Sequence, residues 1–239
     1  MRLSRAGRRL ALFTSIIVTS LLAASCANED PRLESMVNLE PTPPSRERID
    51  ELQEVVDRYG EIVGEKIDAA YQQADALKLL AQEYIRQQLY GPAMDALEEA
   101  ILIAPRNHIL HYLTGVTAGF LGKSQSREDR RVRYLTQAER AYEIAIEIEP
   151  NYIDGRYGLA VLYAFELGEP VKAIPHLEYI LNLSEGHVPS LFVLARAHVA
   201  LGNIDDAIGA YDRIITIAVD ETTRERAERN RRLLLGGST

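Results

Sequence analysis

The sequence predicts an all-helical protein, a right-handed α-solenoid of about four helix hairpins with flanking N- and C-terminal helices. Three observations lead there. Small residues recur at matched places along the body, apolar residues fall at helical rather than alternating spacing, and Pro105 and Pro150 stand where a helix must stop. No strand-like alternation of comparable length competes with this pattern. With 46% hydrophobic and 26% charged residues over 239 positions, the chain can bury a sizeable core and is not of disordered composition.

The first 25 residues are read as an address rather than as structure. Arg2, Arg5, Arg8 and Arg9 precede an uncharged apolar run, Leu10 to Ala24, that is shorter than the roughly 20 residues a spanning helix needs. The run ends in Ala23, Ala24 and Ser25, directly before the single cysteine, Cys26. Leu-Leu-Ala-Ala-Ser-Cys resembles a bacterial lipobox, although Ala23 stands where that motif usually has Leu. The resemblance implies cleavage before Cys26 and acylation of its thiol, with palmitate-like chains holding the protein to a membrane. Several acyl chains anchor far more firmly than one. Residues 26–45 then form the acylated cysteine and a tether containing Pro31, Pro41, Pro43 and Pro44.

Residues 46–73 are helical in pattern, with Ile49, Leu52, Val55, Val56 and Tyr59 on one stripe. The sequence leaves open whether they form a hairpin or one long helix, since Gly60 and Gly64 suggest a break without requiring it. From Ala74 a unit of 34 residues begins, carrying Leu77, Leu80, Ala81, Tyr84, Ala93, Leu97, Ala100 and Pro105 at positions 4, 7, 8, 11, 20, 24, 27 and 32. Small residues at 8, 20 and 27 let antiparallel helices approach closely, while the larger ones fill the space between hairpins. Further units span 108–152, 153–187 and 188–219. The second is 11 residues too long, with the excess expected in or beside Lys123 to Arg131 as a solvated loop, and the third has one extra residue before its second helix. Residues 220–239 supply a charged capping helix and a tail.

These units resemble the tetratricopeptide repeat. In that family, positions 2, 5, 9 and 12 of each first helix line an inner groove. The resemblance therefore implies a groove bearing Lys78, Tyr112, Tyr157 and Phe192 at position 5, and Gln82, Val116, Val161 and Arg196 at position 9. Three successive units carry an aromatic ring at one place. Members that grip acidic peptide C-termini use Lys, Asn and Arg here; only Lys78, Gln82 and Arg196 are loosely compatible, so such a clamp is not expected. Two occupants of the groove stay open: an external peptide or helix, or one of the chain's own terminal helices.

Chemistry is hard to find. Gly122-Lys123-Ser124 lacks the earlier glycine of a phosphate loop, having Thr117 there. His108 and His111 are not at the spacing of a helical zinc motif, and no nucleophile signature accompanies His176, His187 or His198. The expectation is a protein without catalysis, cofactor or metal. A net charge of −8 argues against nucleic acid as a partner. The expected function is a membrane-tethered interaction scaffold or assembly adaptor in the bacterial cell envelope. The periplasmic face of the outer membrane is the expected location, because Cys26 is followed by Ala27 and not Asp. Its partner is another envelope protein of unknown identity, and the oligomeric state is undetermined. In architecture it is similar to pilus-secretin pilotins and outer-membrane assembly lipoproteins. The alternative is an accessory lipoprotein carrying an apolar small ligand for a periplasmic transport system.

Overall fold

The computed structural model describes residues 46–236, which are helix and turn, with no strand among them. The signal segment, Cys26 and the tether lie outside the described residues. The chain divides into two compact units, Met1–Ile62 and Val63–Thr239. The described part of the first consists of the opening turns of helix α1 (Arg46–Arg86), on which Ile49, Leu52 and Val56 are exposed.

The hairpin-or-helix question is thus answered by one uninterrupted α1, through both Gly60 and Gly64. Pairs of opposite charge one turn apart, such as Arg48 with Glu51 at 3.2 Å and Lys78 with Asp75 at 2.6 Å, support so long an element. Its end is a Schellman turn. The Leu89 N–H reaches the Tyr84 carbonyl at 2.8 Å and the Gln88 N–H reaches that of Ile85 at 3.0 Å, which requires Gln88 to adopt φ 60°. Glutamine pays a conformational penalty there that glycine does not. Gln88→Gly is therefore expected to stabilise the fold by up to about 1 kcal/mol, read as a higher denaturant midpoint with an unchanged slope.

In the second unit the helices follow as α2 (Tyr90–Ile103), α3 (His108–Lys123), α4 (Glu128–Ile148), α5 (Ile153–Val161), α6 (Pro170–Leu183), α7 (Val188–Ala200), α8 (Ile204–Ile217) and α9 (Glu221–Leu234). Helices α2 and α4 stop just before Pro105 and Pro150, because a residue preceding proline is driven out of the helical region. Asn107 caps α3 by accepting from the Ile109 N–H at 3.0 Å, and Asp220 caps α9 by accepting from that of Thr223 at 2.8 Å. Each helix packs on the next, and α3–α5 and α5–α7 also touch, which is the contact pattern of a solenoid. The alanines at the close-approach places, Ala81, Ala93, Ala100, Ala138, Ala145, Ala160, Ala173, Ala195 and Ala207, are all fully buried. Around them Leu97, Leu135, Leu159, Leu177, Leu191 and Ile214 form the filling.

One expectation about inserted residues is corrected, and a second is made specific. The excess in the second hairpin is not a solvated loop: only Ser124 to Arg127 separate the helices, and α3 and α4 have grown to 16 and 21 residues against 14 in α2. Glu128 and Asp129 sit in the first turn of α4, where the helix dipole favours them. Ser124 and Gln125 side chains donate to the Leu121 carbonyl at 2.9 and 3.1 Å, occupying acceptors at the end of α3. The extra residue of the third hairpin lies inside its first helix, where α5 continues as a π-helical segment, Leu162–Leu167. A widened turn absorbs one residue without breaking the helix. Gly168, at φ 67°, then ends it, and the Glu169 N–H closes back on the Tyr163 carbonyl at 2.9 Å.

Candidate functional site

The first helices of successive hairpins, α3, α5 and α7, lie side by side and present Tyr112, Tyr157 and Phe192 from equivalent places. Tyr112 and Val116 on α3 meet Tyr157 and Val161 on α5 around a cavity of about 340 Å³. Tyr157 also borders a second cavity of about 550 Å³, which it shares with Phe165 and Phe192. Phe165, Phe192 and Arg196 line a third, of about 410 Å³, with Arg226 and Asn230 of α9. The first and second cavities share Tyr157, and the second and third share Phe165, Phe192 and Arg226. Tyr112, Val116, Tyr157, Val161 and Phe192 are all half-buried, resting on the main core while leaving an edge open. Lys78 and Gln82 line none of these cavities; Lys78 is instead paired with Asp75 on its own helix.

Two glycines hold the first cavity in shape. The Tyr142 ring, reaching up from α4, lies between Gly115 and Gly158: a Cβ at either would stand 2.7 or 2.6 Å from its ring carbons. Without side chains there, Tyr142 is buried and forms the cavity floor. Tyr112 tilts against it at 6.1 Å between ring centres and meets Tyr152 edge-on at 5.4 Å, and Tyr152 in turn takes the His108 ring at 4.7 Å. Burial pushes the Tyr112, Tyr142 and Tyr152 phenols above their usual range, and the Asp154 carboxylate adds to this for Tyr112 and Tyr152. The hydroxyls are therefore neutral and able to donate at physiological pH.

At the other end the chain partly fills its own groove. Helix α9 packs on α8, and the Arg226 guanidinium lies 3.8 Å from the centre of the Phe192 ring. Of the two occupants the sequence leaves open, the C-terminal helix covers Phe192, while the cavity between Tyr112 and Tyr157 is free of it. Sequence reasoning also missed Phe120 and Phe165. Phe120 is exposed on one side and stacked on Tyr90 at 4.8 Å. Phe165 counts as the thirteenth residue of its hairpin, one beyond a groove position, but the π turn sets it back one register into the groove. The signal was the extra residue in the third unit.

The helix order, the buried alanine seams and the next-neighbour packing decide the fold. It is a tetratricopeptide-type α-solenoid. Residues 164–224 match the family model for the tetratricopeptide repeat. A TPR repeat-containing protein of Borreliella burgdorferi is 22% identical over 185 residues, which are 77% of this chain and 80% of that one. Among solved structures, TTC0263, a thermophilic TPR protein of Thermus thermophilus, superposes with a TM-score of 0.59 at 22% identity, covering 76% of this chain and 95% of its own. YrrB, described as a TPR protein with an unusual peptide-binding site, gives 0.53 at 19% identity over 77% and 86% of the two chains. At such identities these likenesses establish the tetratricopeptide-type fold.

Proposed function

We propose that this protein is a lipid-anchored, non-catalytic adaptor of the bacterial cell envelope that holds a peptide or helix of another envelope protein in its aromatic groove. The observation that carries the reading is the continuity of the groove: half-buried rings and valines from α3, α5 and α7, fixed from below by packed side chains, leave apolar surface for a ligand. Fixed rings bind at low entropic cost, since little is left to immobilise. The open cavity edges favour an adaptor over a carrier enclosing a small molecule.

Attachment is assigned to acyl chains on Cys26, with the periplasmic face of the outer membrane as location. Among the described residues no helix is long and apolar enough to cross a membrane. Two measurements test the parts separately. Cys26→Ser is expected to move the protein from the membrane fraction to the soluble one; retention in the membrane would remove the anchor. A photo-crosslinking residue in place of the exposed Phe165 is expected to give one discrete adduct in living cells. Loss of that adduct on truncating Tyr112 and Tyr157 supports the groove, and an adduct indifferent to them refutes it.

A further inference from the structure

The two ends of the groove carry unpaired charges of opposite sign. At the first cavity Asp154 stands on the rim in the opening turn of α5, close enough to raise the Tyr112 phenol, and among the described residues it is in no ion pair. The neighbouring Glu166 is already committed, with Lys123 at 3.7 Å and Arg131 at 3.9 Å. At the far cavity the charged lining residues are Arg196 and Arg226, and no carboxylate joins them there. Neither arginine is in an ion pair among the described residues; Arg226 instead lies on the Phe192 ring. This is notable in a chain whose acids outnumber its lysines and arginines, 35 to 27.

Resting on the adaptor reading, we infer that the groove selects a segment of mixed charge: a basic side chain at the Asp154 end, apolar residues across the middle, and an acidic side chain at the Arg196–Arg226 end. An ammonium or guanidinium at the first cavity meets both a free carboxylate and the electron-rich faces of tyrosines. A carboxylate at the other end meets two cations in a cavity with no acid of its own, beside Phe165 and Phe192, which take an apolar neighbour; the adjoining cavity, which Arg226 also lines, holds Asp220, whose carboxylate accepts from the Thr223 N–H. Complementary charge fixes the placement of the segment and rejects uniformly charged ones, for which one end is always repulsive. Asp154 is on α5 and the arginines on α7 and α9. With neighbouring helices about 8–10 Å apart, the two charges of the ligand are separated by roughly 10–20 Å, about three to six extended residues.

The test uses the full-length chain and three fluorescein-labelled, amidated peptides with a common Leu-Phe-Ala-Leu-Phe centre, flanked by Lys and Glu, by Lys on both sides, or by Glu on both sides. Amidation removes the terminal carboxylate, so only side chains are compared. By fluorescence anisotropy the mixed peptide is expected to bind at least tenfold more tightly than the others. Asp154→Lys is expected to shift the preference to the double-Glu peptide, and Arg196→Glu with Arg226→Glu to the double-Lys peptide. Arg196→Glu alone, which leaves the Phe192 contact intact, should move it partway. An unchanged rank order in all variants, or no binding at millimolar peptide, overturns the inference. Binding without charge preference that disappears on truncating Tyr112 and Tyr157 leaves the adaptor reading standing and removes only the polarity. Binding indifferent to both sets of changes removes both.

Discussion

Replacing Tyr112, Tyr157 and Phe192 together by alanine is expected to weaken capture of the envelope partner by at least about a hundredfold, since central aromatic anchors each commonly contribute about 2 kcal/mol or more to binding. The same rings rest on the core, so the triple change also loosens the fold: Tyr112 supports Tyr142 and Tyr152, and Phe192 packs near Tyr211. A second variant separates the two effects. Val161→Lys alters one half-buried lining residue without removing a ring, and the ammonium it adds has no place in an apolar cavity and opposes the basic side chain expected there. It is expected to cut capture more than tenfold while circular dichroism shows unchanged helicity. If it captures the partner as well as the unaltered protein, binding does not use this groove.

Leu177→Ala is expected to cost about 3–4 kcal/mol, the range found when a fully enclosed leucine leaves a cavity that its surroundings cannot collapse into. Leu177 is fully buried on α6, within the cluster that joins α5, α6 and α7. At about 2–4 °C per kcal/mol for a protein of this size, the midpoint should fall by roughly 10 °C. Because a repeat stack need not unfold as one unit, hydrogen exchange should show the loss first in α5, α6 and α7. Leu183→Ala on the same helix is the control: it is 52% exposed and is expected to change stability by no more than about 0.5 kcal/mol. Equal effects at both positions would contradict the packing described.

Much of this was legible in the residues because a solenoid is built from local rules. Alanine seams such as Ala81, Ala93 and Ala100 follow from how closely two helices can approach, and Pro105 and Pro150 from where a helix can continue. Both are properties of short stretches, so they can be read before any long-range contact is known. The rings Tyr112 and Tyr157, with Val116 and Val161, share one wall by the resemblance to the tetratricopeptide repeat and not by these local rules, and they line one cavity. Lys78 and Gln82, placed on the same wall by that resemblance, line none of the three cavities, and Lys78 is paired with Asp75 on its own helix.

What could be counted but not placed was the inserted length. Eleven surplus residues can extend a loop or two helices at similar local cost, and α3 and α4 took them because both had a neighbour to pack against along their added turns. One surplus residue in the third hairpin became a π turn, and the rotation it imposed brought Phe165 into the groove. Neither the covering of Phe192 by Arg226 nor the seating of Tyr142 between Gly115 and Gly158 is encoded in any single segment. Chain chemistry alone was enough for the helices, their ends and their buried seams, since each depends on neighbours within a few residues. Which rings stay open, which are capped and where unpaired charges face one another depended on separate helices meeting, and that is settled by three-dimensional packing.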